Sequence, residues 1–184
     1  MAAPSGQLTA PSVQALLKDG SLVGQWTLDP GPSSIRLKTR NLLGLVPVRG
    51  DFREVTGIGT VSPDGEVGGT VTVAAASIDT KNARRDTHLR SADFFDSDHQ
   101  PDITFTADGI RLSGRGVAVA GALTVRGRTR PLSFDAVASV QDDGEIWLDA
   151  EVHINRADFG LTWNLMGLVS MNNILIIHAV FTRQ

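Results

Sequence analysis

Residues 145–154 read EIWLDAEVHI, and apolar and polar side chains alternate strictly from Ile146 onward. The apolar side chains share one face of an extended strand: Ile146, Leu148, Ala150, Val152 and Ile154. The side chains between them fall on the other face: Trp147, Asp149, Glu151 and His153. Because side chains alternate between the two faces of a strand, this pattern predicts one buried and one wet face. Such strands are typical of antiparallel sheets and barrels.

Similar alternation recurs along the chain in segments that turn residues separate. The segments are SIRLKTR (34–40), GTVTVAA (69–75), DITFTAD (102–108), GVAVAGALTVRG (116–127) and PLSFDAVASV (131–140). Tight hairpin turns are predicted where glycine can supply a positive φ, at Pro63-Asp64-Gly65, Asp108-Gly109, Gly127 and Asp143-Gly144. About eight strands at this spacing predict an all-β sandwich or barrel.

Composition limits the class of protein. The chain has 184 residues, a formal net charge of -3 and no cysteine. One domain of this length buries a sizeable core, and the weak negative charge gives no reason to expect nucleic acid as a partner. Without cysteine, disulfides and thiolate nucleophiles are excluded. The amino terminus lacks a signal-peptide pattern and no apolar run is long enough to span a bilayer, so we expect a cytoplasmic protein without stable membrane insertion.

Residues 9–19, TAPSVQALLKD, depart from the strand pattern. Three aliphatic side chains fall at helical spacing: Val13, Leu16 and Leu17. Thr9 or Ser12 can cap the start of a helix, and Gly20 can end it. A short helix is therefore predicted within an amino-terminal extension, residues 1–24.

Residues 84–96, RRDTHLRSADFFD, concentrate charged and aromatic side chains in a segment without alternation. Ser91 is a candidate helix N-cap, and one or two helical turns are expected to cross an end of the barrel. His88 with Asp86 or Asp93 could form an oriented general base. No GxSxG sequence or other nucleophile accompanies them, and aspartates are equally suited to cap helices. The favoured interpretation is a lid or plug that adds apolar wall from Leu89, Phe94 and Phe95.

Histidine and carboxylate side chains raise the question of a metal or haem. His88 and His99 bracket three aspartates, Asp93, Asp96 and Asp98, but the spacing matches no HExxH or EF-hand pattern. His178 lies within ILIIHAVF (174–181), where it could be an axial haem ligand in a barrel pocket. A hydrogen-bonded core or interface histidine is the commoner case. No metal and no cofactor are therefore predicted.

The hairpin VRGRTRP (125–131) gathers Arg126, Arg128 and Arg130. It could receive a phosphate headgroup or a membrane surface. Plain solvation of three charges in a turn is the favoured interpretation.

Short motifs follow one another along residues 25–184. They are Trp26-x-Leu28-Asp29, Ser34-Ile35-x-Leu37, Val48-Arg49-Gly50-x-Phe52, Ser77-Ile78-Asp79-Thr80, Arg85-Asp86-x-His88-Leu89-x-Ser91-x-Asp93-Phe94-Phe95-Asp96, Pro101-x-Ile103-x-Phe105, Gly121-x-Leu123-Thr124-Val125-x-Gly127 and Arg156-x-Asp158-Phe159-Gly160. In this order they resemble the YceI-like family of lipocalin-like, polyisoprenoid-binding barrels. The resemblance implies an eight-stranded antiparallel β-barrel around an elongated apolar tunnel for an isoprenoid chain, with a helical segment near the barrel mouth.

The candidate ligand-binding residues form the predicted tunnel wall: Leu37, Phe52, Leu89, Phe94, Phe95, Phe105, Leu123, Phe134, Phe159 and Trp163, with Arg156 as the polar anchor. Small residues would leave volume wherever they point inward: Ala74, Ala75, Ala76, Ala118, Ala120, Ala122, Ala136 and Ala138. We expect the protein to bind a long-chain isoprenoid or similar lipid for carriage, storage or sensing, and not to be an enzyme. Two alternatives stay open: a lipid-modifying enzyme using His88 and Asp93, and a ligand-free structural or stress barrel acting as a dimer.

The carboxyl-terminal stretch NNILIIHAVFTR (172–183) is apolar on both faces. One face carries Ile174, Ile176, His178 and Val180, and the other carries Leu175, Ile177, Ala179 and Phe181. A closed barrel needs only its interior face to be apolar, so we expect the second face to be covered. A homodimer is the favoured cover, and the amino-terminal helix is its rival.

Overall fold

The computed structural model describes residues 10–41, 46–113, 116–164 and 169–184. This part of the chain contains two α-helices, α1 (Ala10–Lys18) and α2 (Ala83–Arg90). Its strands are β1 (Gly24–Leu28), β2 (Ser34–Asn41), β3 (Val46–Phe52), β4 (Val55–Val61), β5 (Val67–Ala74), β6 (Ile78–Asp79), β7 (Asp102–Ser113), β8 (Gly116–Val125), β9 (Arg128–Val140), β10 (Ile146–Asn155) and β11 (Asn172–Arg183). Short 3₁₀ helices span Ala75–Ser77 and Arg156–Phe159.

A closed ring of eight antiparallel strands forms the barrel. Around the ring the order is β1, β4, β5, β7, β8, β9, β10 and β11. β11 closes the ring by pairing with β1, where Trp26 lies opposite Arg183 and Leu28 lies opposite Phe181. The predicted eight-stranded antiparallel, lipocalin-like barrel is confirmed.

One end of the barrel is extended by β2, β3 and β6. β2 pairs with the first half of β11, from Lys38 opposite Ile174 to Ser34 opposite His178. β3 pairs with β2, and the short β6 pairs with the end of β3. Because β6 leads into α2, this extension carries α2 to that end, which we call the α2 end.

The interior of the barrel follows the alternation of the sequence. On β10 the predicted apolar face is confirmed to point inward, with Val152 only 2% exposed. Asp149 and Glu151, on the opposite face, are exposed to solvent. Inward side chains of opposite strands therefore meet inside the ring. The burial of their apolar surface stabilises the barrel.

Three of the four turn predictions are confirmed, and one is wrong. Gly65, Gly127 and Gly144 have φ angles of 82°, 67° and 87°. Asp108-Gly109 instead lies within β7, where the register against β8 shifts between Ala107 and Gly109. This shift is a β-bulge: the strand bends and continues because β8 supplies hydrogen-bond partners on both sides of it.

α1 closes the barrel end opposite α2. The helix falls within the predicted residues 9–19, although its predicted cap lies outside the described side chains. Val13 is 5% exposed and packs into a cluster with Trp26 and inward-facing residues of β8 and β9. The proposal that this helix covers the outer face of β11 is therefore wrong, since its apolar side enters the barrel. Neither described helix is long and apolar enough to cross a membrane.

α2 is the helix expected within residues 84–96. Its N-cap is Asn82, whose side-chain oxygen accepts a hydrogen bond from the Arg85 backbone at 3.0 Å. Ser91, predicted as an N-cap, instead ends the helix, and its hydroxyl donates to the His88 carbonyl at 2.7 Å. The chain then turns inward, so that the side chains after the helix become barrel wall.

The outer face of β11 is half-buried by the strands on either side. Ile176 lies between Arg36 of β2 and Glu151 of β10, whose long side chains can cover apolar surface while keeping their charges in water. His178 also points outward, and its Nδ1 lies 2.7 Å from Asp149 Oδ1. The suggestion that His178 is an axial haem ligand in the barrel pocket is therefore wrong, because its side chain does not enter the barrel.

Candidate functional site

A cavity of about 360 Å³ occupies the barrel interior. It reaches from α1 at one end to α2 at the other, and aliphatic and aromatic side chains form most of its wall. All eleven predicted ligand-binding residues line it: Leu37, Phe52, Leu89, Phe94, Phe95, Phe105, Leu123, Phe134, Arg156, Phe159 and Trp163. That these side chains contact a ligand stays a prediction. The geometry places them around one apolar cavity.

Two phenylalanine rings pack together in the wall of the cavity. Phe105 of β7 and Phe134 of β9 have ring centroids 5.5 Å apart. Gly121 of β8 lies between these strands, and a Cβ atom there would stand 2.9 Å from Phe105 Cζ and 2.1 Å from the Thr106 carbonyl oxygen. The absence of a side chain at this position lets β7 approach closely and leaves room for the Phe105 ring.

Of the alanines expected to leave volume wherever they point inward, those that line the cavity belong to β9. Ala136 and Ala138 line the cavity, whereas the alanines of β8 alternate with the inward-facing Val117, Val119 and Leu123. A strand made of small residues on one face and valines on the other has both faces apolar, so its sequence does not indicate which face is inside.

The α1 end of the cavity contains wall residues that the sequence did not indicate. Val13, Leu17 and Leu22 line it together with Trp26. The Trp26 indole nitrogen donates to the Leu22 carbonyl at 3.0 Å, which satisfies its only polar atom. Helical spacing identified the apolar side of α1, but only the tertiary structure places that side in the cavity.

A hydrogen-bond network fixes α2 to the barrel. Asp86, 7% exposed, accepts hydrogen bonds through Oδ1 from the Thr80 backbone at 3.0 Å and from the Thr80 hydroxyl. Thr80 Oγ1 in turn accepts from Arg85 Nε at 2.7 Å. Asp86 is thus a structural carboxylate, and it holds the helix so that Arg85, His88 and Leu89 line the cavity.

Arg156 is the most buried charged residue at the α2 end, with 3% exposure. It begins the 3₁₀ helix after β10, and its guanidinium donates to three backbone carbonyls: Ser170 at 3.0 Å, Trp163 at 2.8 Å, and Leu161. Its Cζ lies 5.6 Å from the Phe94 ring centroid. Burial lowers the pKa of this guanidinium below its ordinary value, yet an arginine remains charged.

His88 faces the cavity from α2. Its ring centroid lies 4.3 Å from that of Trp163 and 6.4 Å from that of Phe94. The sequence singled out His88 for catalysis or metal binding but not for the wall. Because it occupies a polar helix, no apolar periodicity could have indicated that it faces the interior.

The comparisons with known proteins agree with this geometry. The family model described as a YceI-like domain matches residues 26–181, nearly the whole barrel. The chain belongs to the YceI-like family. A UPF0312 protein of Serratia proteamaculans is 37% identical over 113 residues, and protein YceI of Escherichia coli is 35% identical over 120 residues. The matched segments cover 58% and 62% of the respective relatives, so this YceI-like chain aligns with about three fifths of their length.

Solved structures share the fold of this YceI-like domain. Burkholderia cenocepacia BcnA superimposes with a TM-score of 0.76 at 20% identity, covering 84% of this chain and 99% of that one. A polyisoprenoid binding domain from Saccharophagus degradans gives 0.70 at 14% identity, covering 86% and 98%. A Campylobacter jejuni YCEI protein gives 0.63 at 27% identity, covering 74% and 86%.

The other sequence-derived candidates lie outside the YceI-like cavity. Asp93 is exposed, and no hydrogen bond joins it to His88 among the described residues. His99 Nδ1 lies 2.9 Å from Asp96 Oδ1 on the surface, and within the described ranges no three potential ligands gather around one point. The enzymatic and metal hypotheses therefore lack an assembled site in this part of the chain.

The arginine hairpin of the YceI-like domain is exposed. Arg126 Nη2 donates to the Ala92 carbonyl at 2.7 Å, and Arg130 Nη1 donates to the Thr129 carbonyl at 3.0 Å. Arg126 thus ties the hairpin to the segment after α2. This contact gives the hairpin a structural role.

Proposed function

We propose that the barrel binds a long-chain isoprenoid or a similar amphiphilic lipid in its cavity. The observation that carries this proposal is the apolar cavity of about 360 Å³ inside a closed ring of strands. Its volume falls within the range of about 300–1,000 Å³ that is usual for small-molecule sites. Burial of each methylene group contributes about 0.8 kcal/mol, so a long chain needs few polar contacts to bind.

The similar proteins support the same class of ligand. The Saccharophagus degradans neighbour is described as polyisoprenoid binding, and this chain belongs to the same kind of barrel. Membership of the YceI-like family favours a binding protein over an enzyme. Carriage, storage and sensing are three roles for such a barrel, and a cytoplasmic location stays a prediction from the sequence.

The proposed orientation places the polar end of the lipid at the α2 end. Two arginines line this part of the wall, Arg85 and Arg156, and Arg156 is the buried one. The α1 end offers Val13, Leu17 and Leu22 instead, which suit the terminal methyl groups of a chain. This asymmetry supports Arg156 as the anchor.

Native mass spectrometry and organic extraction of the purified protein test the proposal. We expect a co-purifying lipid in the wild type and in Ser133→Asp, but not in Phe134→Asp. The two substitutions add the same carboxylate to neighbouring positions of β9, where Ser133 is exposed and Phe134 lines the cavity. An unpaired carboxylate in an apolar wall is strongly unfavourable, and circular dichroism must show that both variants fold.

Other outcomes of the same experiment would favour the alternatives. A folded Phe134→Asp protein that retains its lipid would contradict the binding site. A wild-type barrel that is empty and binds no added lipid would favour the ligand-free structural barrel. Turnover of the extracted lipid that both His88→Ala and Asp93→Asn abolish would favour a lipid-modifying enzyme.

A further inference from the structure

α1 forms the floor of the cavity at the barrel end opposite α2. Val13 and Leu17 both line the cavity, and Val13 is 5% exposed. Residues four positions apart lie on the same side of a helix, so this side of α1 faces the inside of the barrel. Leu22, which follows the helix, lines the same end of the cavity.

The strands around this floor contribute small side chains to the wall. Four alanines line the cavity and pack in the same cluster as Val13: Ala107 of β7, Ala136 and Ala138 of β9, and Ala150 of β10. Small wall residues leave space in the centre of a barrel. How far this space extends towards the end of the barrel therefore depends on the helix that closes it.

The floor and the wall come from different parts of the chain. The YceI-like family model begins at residue 26, whereas α1 spans Ala10–Lys18. The matched domain thus supplies the strands of the wall, and the segment before it supplies the floor. The length of the cavity is set by a helix that lies outside the matched domain.

Apolar packing holds α1 in the barrel. In the described part of the chain, no hydrogen bond joins a residue of α1 to a strand. The polar contacts lie in the turn after the helix, where the Trp26 indole donates to the Leu22 carbonyl at 3.0 Å and the Arg183 guanidinium donates to the Ser21 carbonyl. The depth of the floor therefore depends on the size of the apolar side chains of α1.

A floor of this kind limits how much of a ligand chain can be buried. Each methylene group that leaves water strengthens binding about fourfold. A chain whose polar end lies at the α2 end ends against α1 if it is long enough, and further carbon atoms cannot be buried beyond the helix. Affinity should therefore rise with chain length until the chain reaches α1 and rise little after that.

We propose that α1 determines the length of ligand chain that the barrel accepts, and that Val13 and Leu17 are the residues that set this length. The inference rests on the proposed function and adds a determinant of specificity to it. A larger side chain at either position shortens the space for the ligand, and a smaller side chain lengthens it.

Three isoprenols that differ only in chain length test this inference: geraniol, geranylgeraniol and solanesol, which have two, four and nine isoprene units. Each is titrated against the full-length, delipidated protein by displacement of a fluorescent apolar probe. Because β10 has 10 residues and barrel strands are tilted, the barrel is about 25 Å long, and an extended solanesol chain exceeds it. In the wild type, geranylgeraniol should bind at least about tenfold more tightly than geraniol, and solanesol should gain less than about tenfold over geranylgeraniol.

Variants of α1 locate the limit, and the ratio of solanesol affinity to geraniol affinity is the readout. Leu17→Trp should lower this ratio at least about tenfold, because the larger side chain removes space for the chain end. Leu17→Ala should raise the ratio at least about threefold, because it leaves a space that the ligand can fill. Gln14→Trp is the matched control, since Gln14 is exposed on the same helix. Circular dichroism checks folding, and if Leu17→Trp does not fold, Leu17→Ala and Val13→Ala still decide the question.

Opposite shifts for the larger and the smaller side chain would separate a floor from a merely structural helix, which would change the affinity for all three isoprenols alike. Ratios that the Leu17 variants leave unchanged, or that Gln14→Trp changes as much as Leu17→Trp, would overturn the inference and leave the proposed lipid binding intact. A wild type that binds solanesol far more tightly than geranylgeraniol would do the same. Failure of the isoprenols and of the fluorescent probe to bind would contradict both.

Discussion

The imidazole of His88 lies against the indole of Trp163, with ring centroids 4.3 Å apart and ring planes at 59°. This contact joins α2 to the segment that follows the 3₁₀ helix Arg156–Phe159. Trp163 is 39% exposed and also lines the cavity. The indole therefore stands between the cavity and solvent, where it can delay the exit of a ligand.

Trp163→Ala should speed ligand release roughly threefold to tenfold, because an aromatic pair contributes about 0.5–1.5 kcal/mol beyond its buried area. Stopped-flow displacement of a fluorescent apolar probe measures this rate. Trp147→Ala is the matched control, since Trp147 lies on the outer side of β10 beside His178. Equal release rates in the two variants would show that Trp163 does not delay exit.

Gly121→Ala should lower the free energy of unfolding by about 1–3 kcal/mol, the usual cost of overpacking. The added Cβ would stand 2.1 Å from the Thr106 carbonyl oxygen, so β7 and β8 must move apart. Gly109→Ala should change stability by less than about 0.5 kcal/mol, because a Cβ at Gly109 meets no atom within 4 Å. Urea denaturation measures both, and equal losses would contradict the close approach of the strands at Gly121.

Asp79→Asn should weaken the acid dependence of stability. Hydrogen bonds from Lys81 and Arg53 hold the pKa of the Asp79 carboxyl well below its ordinary value of 3.8. A carboxyl whose pKa is lower in the folded state contributes stability at pH values above 3.8, and this contribution is lost as the pH falls further through the folded-state pKa. The variant should therefore be less stable than the wild type at neutral pH, with a smaller difference in strong acid.

Thermal unfolding across this acid range provides the measurement for Asp79. Asp142→Asn is the control, since Asp142 is exposed in the turn before β10 and forms no ion pair in the described ranges. If the stabilities of the wild type and of Asp79→Asn fell in parallel as the pH is lowered, the proposed link between Asp79 protonation and stability would be ruled out.

The homodimer predicted through the outer face of β11 is tested by Ile176→Glu. Light scattering should show a dimer for the wild type and a monomer for the variant, because a charge at the centre of an apolar interface is unfavourable. Ile58→Glu is the control, since Ile58 is 62% exposed on β4, which β1 separates from β11. A monomeric wild type would refute the dimer, and so would a dimer that Ile176→Glu leaves intact.

Alternation predicted an all-β sandwich or barrel, and the resemblance to the YceI-like family implied the eight-stranded barrel. Alternation also indicated inward side chains where one face of a strand is apolar and the other is polar. β10 is the clearest case, and every predicted inward residue of that strand lines the cavity. Phe105 and Phe134 were placed in the wall by the same reasoning. Where the two faces do not differ in polarity, as for His178 on β11, the sequence could not indicate which side is inside.

Tertiary contacts decide the features that the sequence did not predict. Asp108-Gly109 has the composition of a hairpin turn, but the partner strand β8 continues past it and makes it a bulge. Serine is a residue type favoured at N-caps, but the N-cap of α2 is Asn82. The helix ends at Arg90, and Ser91 is its C-cap. The contacts of His88 and Arg156 with Trp163 join segments that are distant in the sequence, which no local pattern contains.

The pairing of Trp26 with Arg183 has a consequence for how the chain folds. Trp26 belongs to the first strand of the barrel and Arg183 to its last, so this seam of the ring joins strands that are far apart in the sequence. Folding rates fall as the separation of contacting residues rises, and we expect slow refolding on the scale of all-β proteins. During synthesis the other strands of the barrel leave the ribosome before β11. Until β11 follows, the ring cannot close, and we expect its exposed apolar surface to bind chaperones.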